Sequence, residues 1–284
     1  MKLARFSKDG ITCLGKIENG RIIDLTAAMP ACGHSMRALL TVFPHQRAIL
    51  ENVTAPSYAL SDVVLEAPIA DPQKFLAIGM NYKAHAEEAA AAGVPVPTSQ
   101  LWFNKQVSCI TGPYGHVQIP RAAPYKVDYE AEMGVVIGQR CRHVKREEAL
   151  GVIAGYFVAN DVTARDWQFR SPTFTLGKSF DTHGPIGPWI TTADEIPDPH
   201  ALELTLSLNG EPRQKTSTGD MIYDIYEQIA YLSQVMTLEP GDLLITGTPA
   251  NVGIQTGTFM KPGDVVRVEV SRLGHIENCF EPEV

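Results

Sequence analysis

Short apolar runs alternate with polar punctuation along most of the chain. GVVIG, GYFVAND, ALELTLSLNG, GDLLITGTP and DVVRVEV are bounded by Gly, Pro, Asn or Asp, the signature of strands rather than helices. ALELTLSL alternates with period two and ends on Asn209-Gly210, which predicts a two-residue hairpin turn. One stretch has helical spacing instead. Ile222, Ile225, Tyr226, Ile229, Leu232 and Met236 form a stripe, with Pro240-Gly241 as its stop. Residues 1–68 carry the strand-like pieces ITCLGKI and GRIIDL and a helical piece around MRALLTVF. Two prolines in LEAPIADPQKFLAIGMNY then mark a break. The pattern predicts a small N-terminal α+β unit over 1–68 and a strand-rich unit over 69–284. With no internal repeat and no regular βαβ alternation, it favours a mainly β, mixed or antiparallel architecture with a few helices.

Composition narrows the function classes. The 284 residues are 44% apolar and 20% charged, the balance of a globular protein. The 24 basic and 32 acidic residues give a formal charge of −8, which argues against a nucleic-acid partner. Five scattered cysteines form no CxxC pair, pointing to reduced thiols in a cytoplasmic setting and away from a zinc ribbon or disulfide framework. MKLARFSKDG lacks the apolar run of a signal peptide, and no segment approaches the length of a membrane span. A soluble cytoplasmic protein without a membrane partner is expected.

Candidate chemistry concentrates where acidic residues enter an apolar strand. In KVDYEAEMGVVIG (126–138), Asp128, Glu130 and Glu132 stand at i, i+2 and i+4, so one continuous strand would put them on one face. An isolated row of this kind is ordinarily a solvated face. Here the apolar run that follows argues for burial, and buried carboxylates are paired, protonated or bound to metal. Hard oxygen donors on a rigid strand suit Mg²⁺ or Mn²⁺. In VANDVTARDWQ, Asp161 ends a strand-like run and is followed by Arg165, Asp166 and Gln168. That segment is either a further ligand beside anion-holding groups or a helix-capping Asp with a surface ion pair.

Three further segments carry candidates. Gly177-Lys178-Ser179 has the ending of a phosphate loop, but Pro172 stands where that motif needs its first glycine, so nucleotide binding is excluded. A lysine among Phe, Gly and Pro reads either as a partly buried charge that pairs with a carboxylate or stabilises an oxyanion, or as a snorkelling surface lysine. NYKAHAEEAAAAG (81–93) reads as a short helix capped by Asn81 and ended by Gly93. His85 and Glu88 then share a face, either as a water-activating pair or as incidental charges on an alanine-rich helix. So short a helix is marginal alone, and GVPVPTSQ follows it, so a mobile lid is expected. In TGTPANVG (246–253), backbone amides and Thr248 could bind a carboxylate, or the segment is a tight turn. His183, beside the lysine segment, is a weaker candidate.

Taken together and in order, IGMNYKAHAEEA, DYEAEMGVVIG, NDVTARDWQ, GKSFDTHGPIGPW and LITGTPANVG resemble the fumarylacetoacetate hydrolase family over roughly residues 70–280. Within it the chain is most similar to bacterial 2,4-diketo-3-deoxy-sugar-acid and acylpyruvate hydrolases. The resemblance implies a mixed β-roll catalytic domain behind a small N-terminal domain, a homodimer, and Mg²⁺ or Mn²⁺ held by Glu130, Glu132 and Asp161. It also implies a His85–Glu88 lid dyad, an active-site Lys178 and Thr248, and substrate contacts from Arg165 and Gln168. Asp128 lies outside the family's usual ligand set and is expected to support the ligands from behind.

The activity so implied is hydrolytic cleavage of a carbon–carbon bond in a 2,4-dioxo acid, giving pyruvate and a second acid. Related enolate chemistry serves decarboxylation of oxaloacetate and hydration or isomerisation of unsaturated 2-oxo acids. A non-catalytic metal-binding module runs against the filling of every position that the family uses. Contacts to the substrate's tail are expected from the lid and the 94–106 loop.

Overall fold

The long central strands are buried on both faces, which explains why they read as nearly unbroken apolar runs. Along Ala131–Ile137, Val135 joins one core and Val136 the other; along Ile153–Asn160, Tyr156 and Val158 alternate with Phe157 and Ala159 in the same way. These strands belong to a twelve-stranded mixed sheet in the computed structural model, which describes residues 1–284. Its spatial order is Ser57–Ala59, Arg21–Asp24, Ile11–Glu18, Lys2–Lys8, Gly184–Thr192, Ile153–Asn160, Ala131–Ile137, Leu243–Ile245, Phe75–Gly79 and Leu101–Asn104, with two short strands alongside. A five-stranded sheet ordered Glu211–Ser217, Glu203–Leu208, Val265–Val270, Gly274–Pro282 and Val117–Ile119 covers one face. The helix Met36–Asn52 covers the other through Met36, Leu39, Leu40 and Phe43. The mainly β, mixed architecture expected from the sequence is what the chain adopts.

The N-terminal piece is built into this frame. Strand Lys2–Lys8 pairs antiparallel with Gly184–Thr192, and the helix Met36–Asn52 shares its core with Phe75, Phe157 and Leu243. One sheet and one core therefore run across the break expected near residue 68.

Local expectations fare unequally. Asn209 and Gly210 both take positive φ (54° and 82°) between paired strands, as a type I′ turn requires. The striped helix is shorter than its pattern, running Ile225–Val235. Asp224 caps it and forms a capping box with Glu227, which leaves Ile222 outside; there its amide donates to the Asn81 carbonyl. The helix has also ended before Pro240-Gly241. The short helix Lys83–Ala91 is present, but Asn81 does not cap it. The Asn81 side chain is fully buried and instead donates to the Tyr223 and Thr246 carbonyls while accepting from the Tyr223 amide. It pins the base of the helix to the body. Gly93, at φ 79°, follows the last turn as expected.

Candidate active site

The carboxylate row is broken where the chemistry begins. Asp128 lies in a two-residue strand, Val127–Asp128, and Glu132 in the strand that starts at Ala131. Between them two main-chain amides are taken by side chains, Asn160 Oδ1 accepting from the Glu130 amide and Gln214 Oε1 from that of Ala131, while the Glu130 carbonyl accepts from the Asp161 amide. The expected single acidic face therefore splits. Glu130 and Glu132 converge with Asp161, all three buried, with ligand-type oxygens within 4.8 Å of one another. Asp128 turns away to accept from the Tyr129, Gly253 and Ile254 amides and from Arg165 Nε, at 2.6–2.8 Å. Gly253 is required for that approach, because a Cβ there would stand 2.4 Å from Asp128 Oδ1.

Three buried cations face these four acids. Lys178 Nζ lies 2.8 Å from Glu130 Oε2 and 2.6 Å from Asp161 Oδ2. Arg165 reaches Glu130 Oε1 at 2.7 Å and Gln168 Oε1 at 3.0 Å. Lys105, which sequence reasoning missed, is fully buried; its Nζ lies 2.6 Å from Asp161 Oδ1 and also donates to the Lys178 carbonyl. Burial, the largest single influence, lowers the Lys105 pKa, but Asp161 together with Cys109 and Glu130 outweighs it and the net shift is upward. For Glu130, burial pushes up, Lys178 and Arg165 pull down harder, and the net shift is downward. Glu132 goes the other way. Burial first, then the negative charges of Asp161 and Glu130, hold its carboxyl well above the usual range.

That imbalance is the test of whether a cation fits. Four carboxylates against three cations leave a buried negative excess, which is costly unless a proton or a further cation offsets it. Three converging carboxylate oxygens are the hard donor set that Mg²⁺ and Mn²⁺ take. The residues present therefore fit the divalent ion that the family pattern implies.

The cluster opens into a cavity of about 130 Å³. Its walls bring together His85, Glu130, Arg165, Gln168, Lys178 and Thr248, residues drawn from five separate sequence segments. Of the triad, only Glu130 is among the lining residues. His85 Nδ1 is 3.4 Å from Glu88 Oε2, so the dyad forms, and its Nε2 has no protein partner. Thr248 Oγ1 accepts from Gln214 Nε2. The amides of the 246–253 segment do bind carboxylates, but the protein's own: Gly247 donates to Glu132 and Gly253 to Asp128. The apolar walls come from Leu101 and Phe103 as expected, and also from Phe169, Phe174, Val252 and Ile254, which the sequence reading had not placed at the tail.

His183 stays out of the cavity. It is fully buried, its Nε2 donates to the Gln118 carbonyl at 2.9 Å, and its Nδ1 has no partner. Burial pushes its pKa down to about 3. The ring is thus neutral in the fold, whereas the unfolded chain binds a proton below about pH 6.5. Its contribution to stability is whole above that value and is lost as pH falls towards 3, at about 1.4 kcal/mol per pH unit. His183→Gln should accordingly flatten the loss of urea stability on acidification below about pH 6.5; an unchanged slope would contradict the assignment.

A buried carboxylate triad, a lysine and a histidine gathered at one cavity mark a candidate active site. Residues 74–281 match the family described as "Fumarylacetoacetate (FAA) hydrolase C-terminal", and the chain belongs to the fumarylacetoacetate hydrolase family. It is 40% identical to the mitochondrial oxaloacetate tautomerase fahd2 of Xenopus laevis over 92% of this chain and 83% of that one. Maleylpyruvate hydrolase from Sphingobium sp. SYK-6, solved with manganese (II) and pyruvate, superposes with a TM-score of 0.84 at 33% identity. The fumarylacetoacetate hydrolase of Exiguobacterium antarcticum gives 0.87 at 34%. Each of the two structures covers 100% of both chains. These similarities support an enzyme, and no helix is long and apolar enough to cross a membrane.

Proposed function

We propose that this protein hydrolyses a carbon–carbon bond in a 2,4-dioxo acid, an acylpyruvate or a diketo-deoxy sugar acid, to pyruvate and a second acid. The observation that carries this reading is a single cavity faced by Glu130 of the carboxylate triad, by Lys178 and by His85, whose ring is paired with Glu88. Glu130, Glu132 and Asp161 would hold Mg²⁺ or Mn²⁺, which when bound supplies a Lewis acid for the 2-oxo acid and a counter-charge for its enolate. His85 takes a proton from water while Glu88 orients the ring, and the water oxygen adds to the 4-carbonyl carbon. The C3–C4 bond then breaks, its electrons forming the enolate of pyruvate and leaving the acyl group as a carboxylic acid. Lys178 holds positive charge beside that enolate until C3 is protonated. The helix Lys83–Ala91 acts as a lid over the bound acid, anchored at its base by Asn81. A cytoplasmic homodimer accompanies this reading, checked by sedimentation.

Pyruvate release from an acylpyruvate tests it. Chelation with EDTA should cut the rate by about 10³-fold, as expected when several kcal/mol of charge stabilisation are lost, and added Mg²⁺ or Mn²⁺ should restore it. Full activity after complete metal removal, or an unimpaired Glu130→Gln enzyme, would overturn the proposal.

A second reading is favoured by the oxaloacetate tautomerase relative. Proton transfer at C3 of oxaloacetate passes through the same enolate and needs no attacking water, and decarboxylation or isomerisation of other 2-oxo acids would use the same groups. Interconversion of the keto and enol forms of oxaloacetate, without net loss of substrate, would mark that activity.

A further inference from the structure

Resting on the cleavage reading, we infer that the acyl tail of the substrate is apolar, and that tails ending in a second carboxylate are rejected. The inference comes from the chemistry of the outer cavity. An aromatic wall leads from the reacting groups to the mouth. Lys178 Nζ lies 5.1 Å from the Phe103 ring centre, Phe103 meets Phe174 edge-on at 5.9 Å, and Phe174 meets Phe169 edge-on at 6.0 Å. Phe169 is 64% exposed, and Val94 and Ile254, which line the same cavity, are 41% and 39% exposed. Apolar side chains left open to water around the mouth of a cavity are the mark of a surface that an apolar ligand covers.

The cations of the cavity are already committed. The Arg165 guanidinium is held by Asp128, Glu130 and Gln168. Lys178 is held by Glu130 and Asp161. His85, the remaining ionisable donor on the wall, is paired with Glu88, whose negative charge repels an incoming anion. A tail carboxylate would therefore lose its hydration against Phe174 and Phe169 with no counter-ion, and that is costly. Hydroxyl groups are discriminated against less, because an apolar pocket rejects an added hydroxyl only weakly. The diketo-deoxy sugar acids are accordingly the poorer of the two substrate classes proposed above.

The experiment compares kcat/KM at fixed Mg²⁺ for three acylpyruvates of matched length, with an alkyl or phenyl tail, a polyhydroxylated tail and a tail ending in carboxylate. The alkyl or phenyl tail should exceed the carboxylate tail by about 100-fold or more, with the hydroxylated tail between them. In parallel, 2-oxo acids with the same tails but no 4-keto group should raise the melting temperature in the same order. Phe169→Arg, a change at an exposed position, should narrow the gap between alkyl and carboxylate tails by about tenfold by supplying the missing charge. Equal or better use of the carboxylate tail overturns the inference. If no acylpyruvate is turned over, the cleavage reading fails, and the order of thermal protection by the 2-oxo acids alone upholds or overturns the apolar tail.

Discussion

His85→Ala is expected to slow pyruvate release from an acylpyruvate by about 10²–10⁴-fold in kcat, the range for loss of a positioned general base, with little change in KM. The argument is geometric. His85 lines the cavity with Nδ1 turned to Glu88 at 3.4 Å, which leaves Nε2 free to take a proton from water. The side chains of the dyad hydrogen-bond only to each other and to the Asn251 amide, not to the residues that hold the carboxylate triad, so its removal should leave metal affinity intact. That separates it from Glu130→Gln, which should weaken both. Glu88→Gln should give a smaller loss in kcat, because it disturbs the orientation of the ring and leaves the base in place. The same variant discriminates between the two functional readings, because proton transfer on oxaloacetate needs no attacking water. A His85→Ala enzyme that cleaves acylpyruvates at the parental rate would remove the dyad from the mechanism. One that loses hydrolysis but keeps oxaloacetate tautomerisation would show that the two reactions use different groups.

What the sequence disclosed and what it hid divide along one physical line. Glu130, Glu132, Asp161, His85, Glu88 and Lys178 could be named because each sits in a short local segment that offers candidate chemistry, and because those segments occur in the order that the family resemblance rests on. The central strands were legible for a similar reason, since burial on both faces writes itself into the composition of the run. Lys105 was not legible. It follows an ordinary strand, Leu101–Asn104, and its partner Asp161 lies 56 positions away. Asn160 and Gln214 interrupt the acidic row through side chains whose targets are likewise distant in sequence. Asn81 was misread for the converse reason. Its local context suits a helix cap, but its three hydrogen bonds run to residues 142 and 165 positions on. Local patterns report which groups are present; long-range pairing decides which of them are free to react.

Asp128→Asn is the substitution expected to damage the fold most, by about 3–5 kcal/mol, the cost of breaking a buried ion pair from one side. Asp128 is fully buried and accepts four hydrogen bonds, from the Tyr129, Gly253 and Ile254 amides and from Arg165 Nε. An asparagine of the same shape keeps one carbonyl oxygen but presents an NH₂ where the other oxygen stood. Donor then faces donor at Ile254 and Arg165, and Arg165 retains only Glu130 as a charged partner. Because Arg165 and Ile254 both line the cavity, activity should fall together with stability, although Asp128 itself is not among the lining residues. Urea unfolding of Asp128→Asn, Arg165→Met and the double variant gives the coupling directly. If the acid serves chiefly to neutralise and aim Arg165, the double variant should be destabilised by clearly less than the sum of the single changes. A loss below about 1 kcal/mol for Asp128→Asn, the size of one ordinary hydrogen bond, would show that this carboxylate is a passenger in the acidic row and not the anchor of its cationic counterpart.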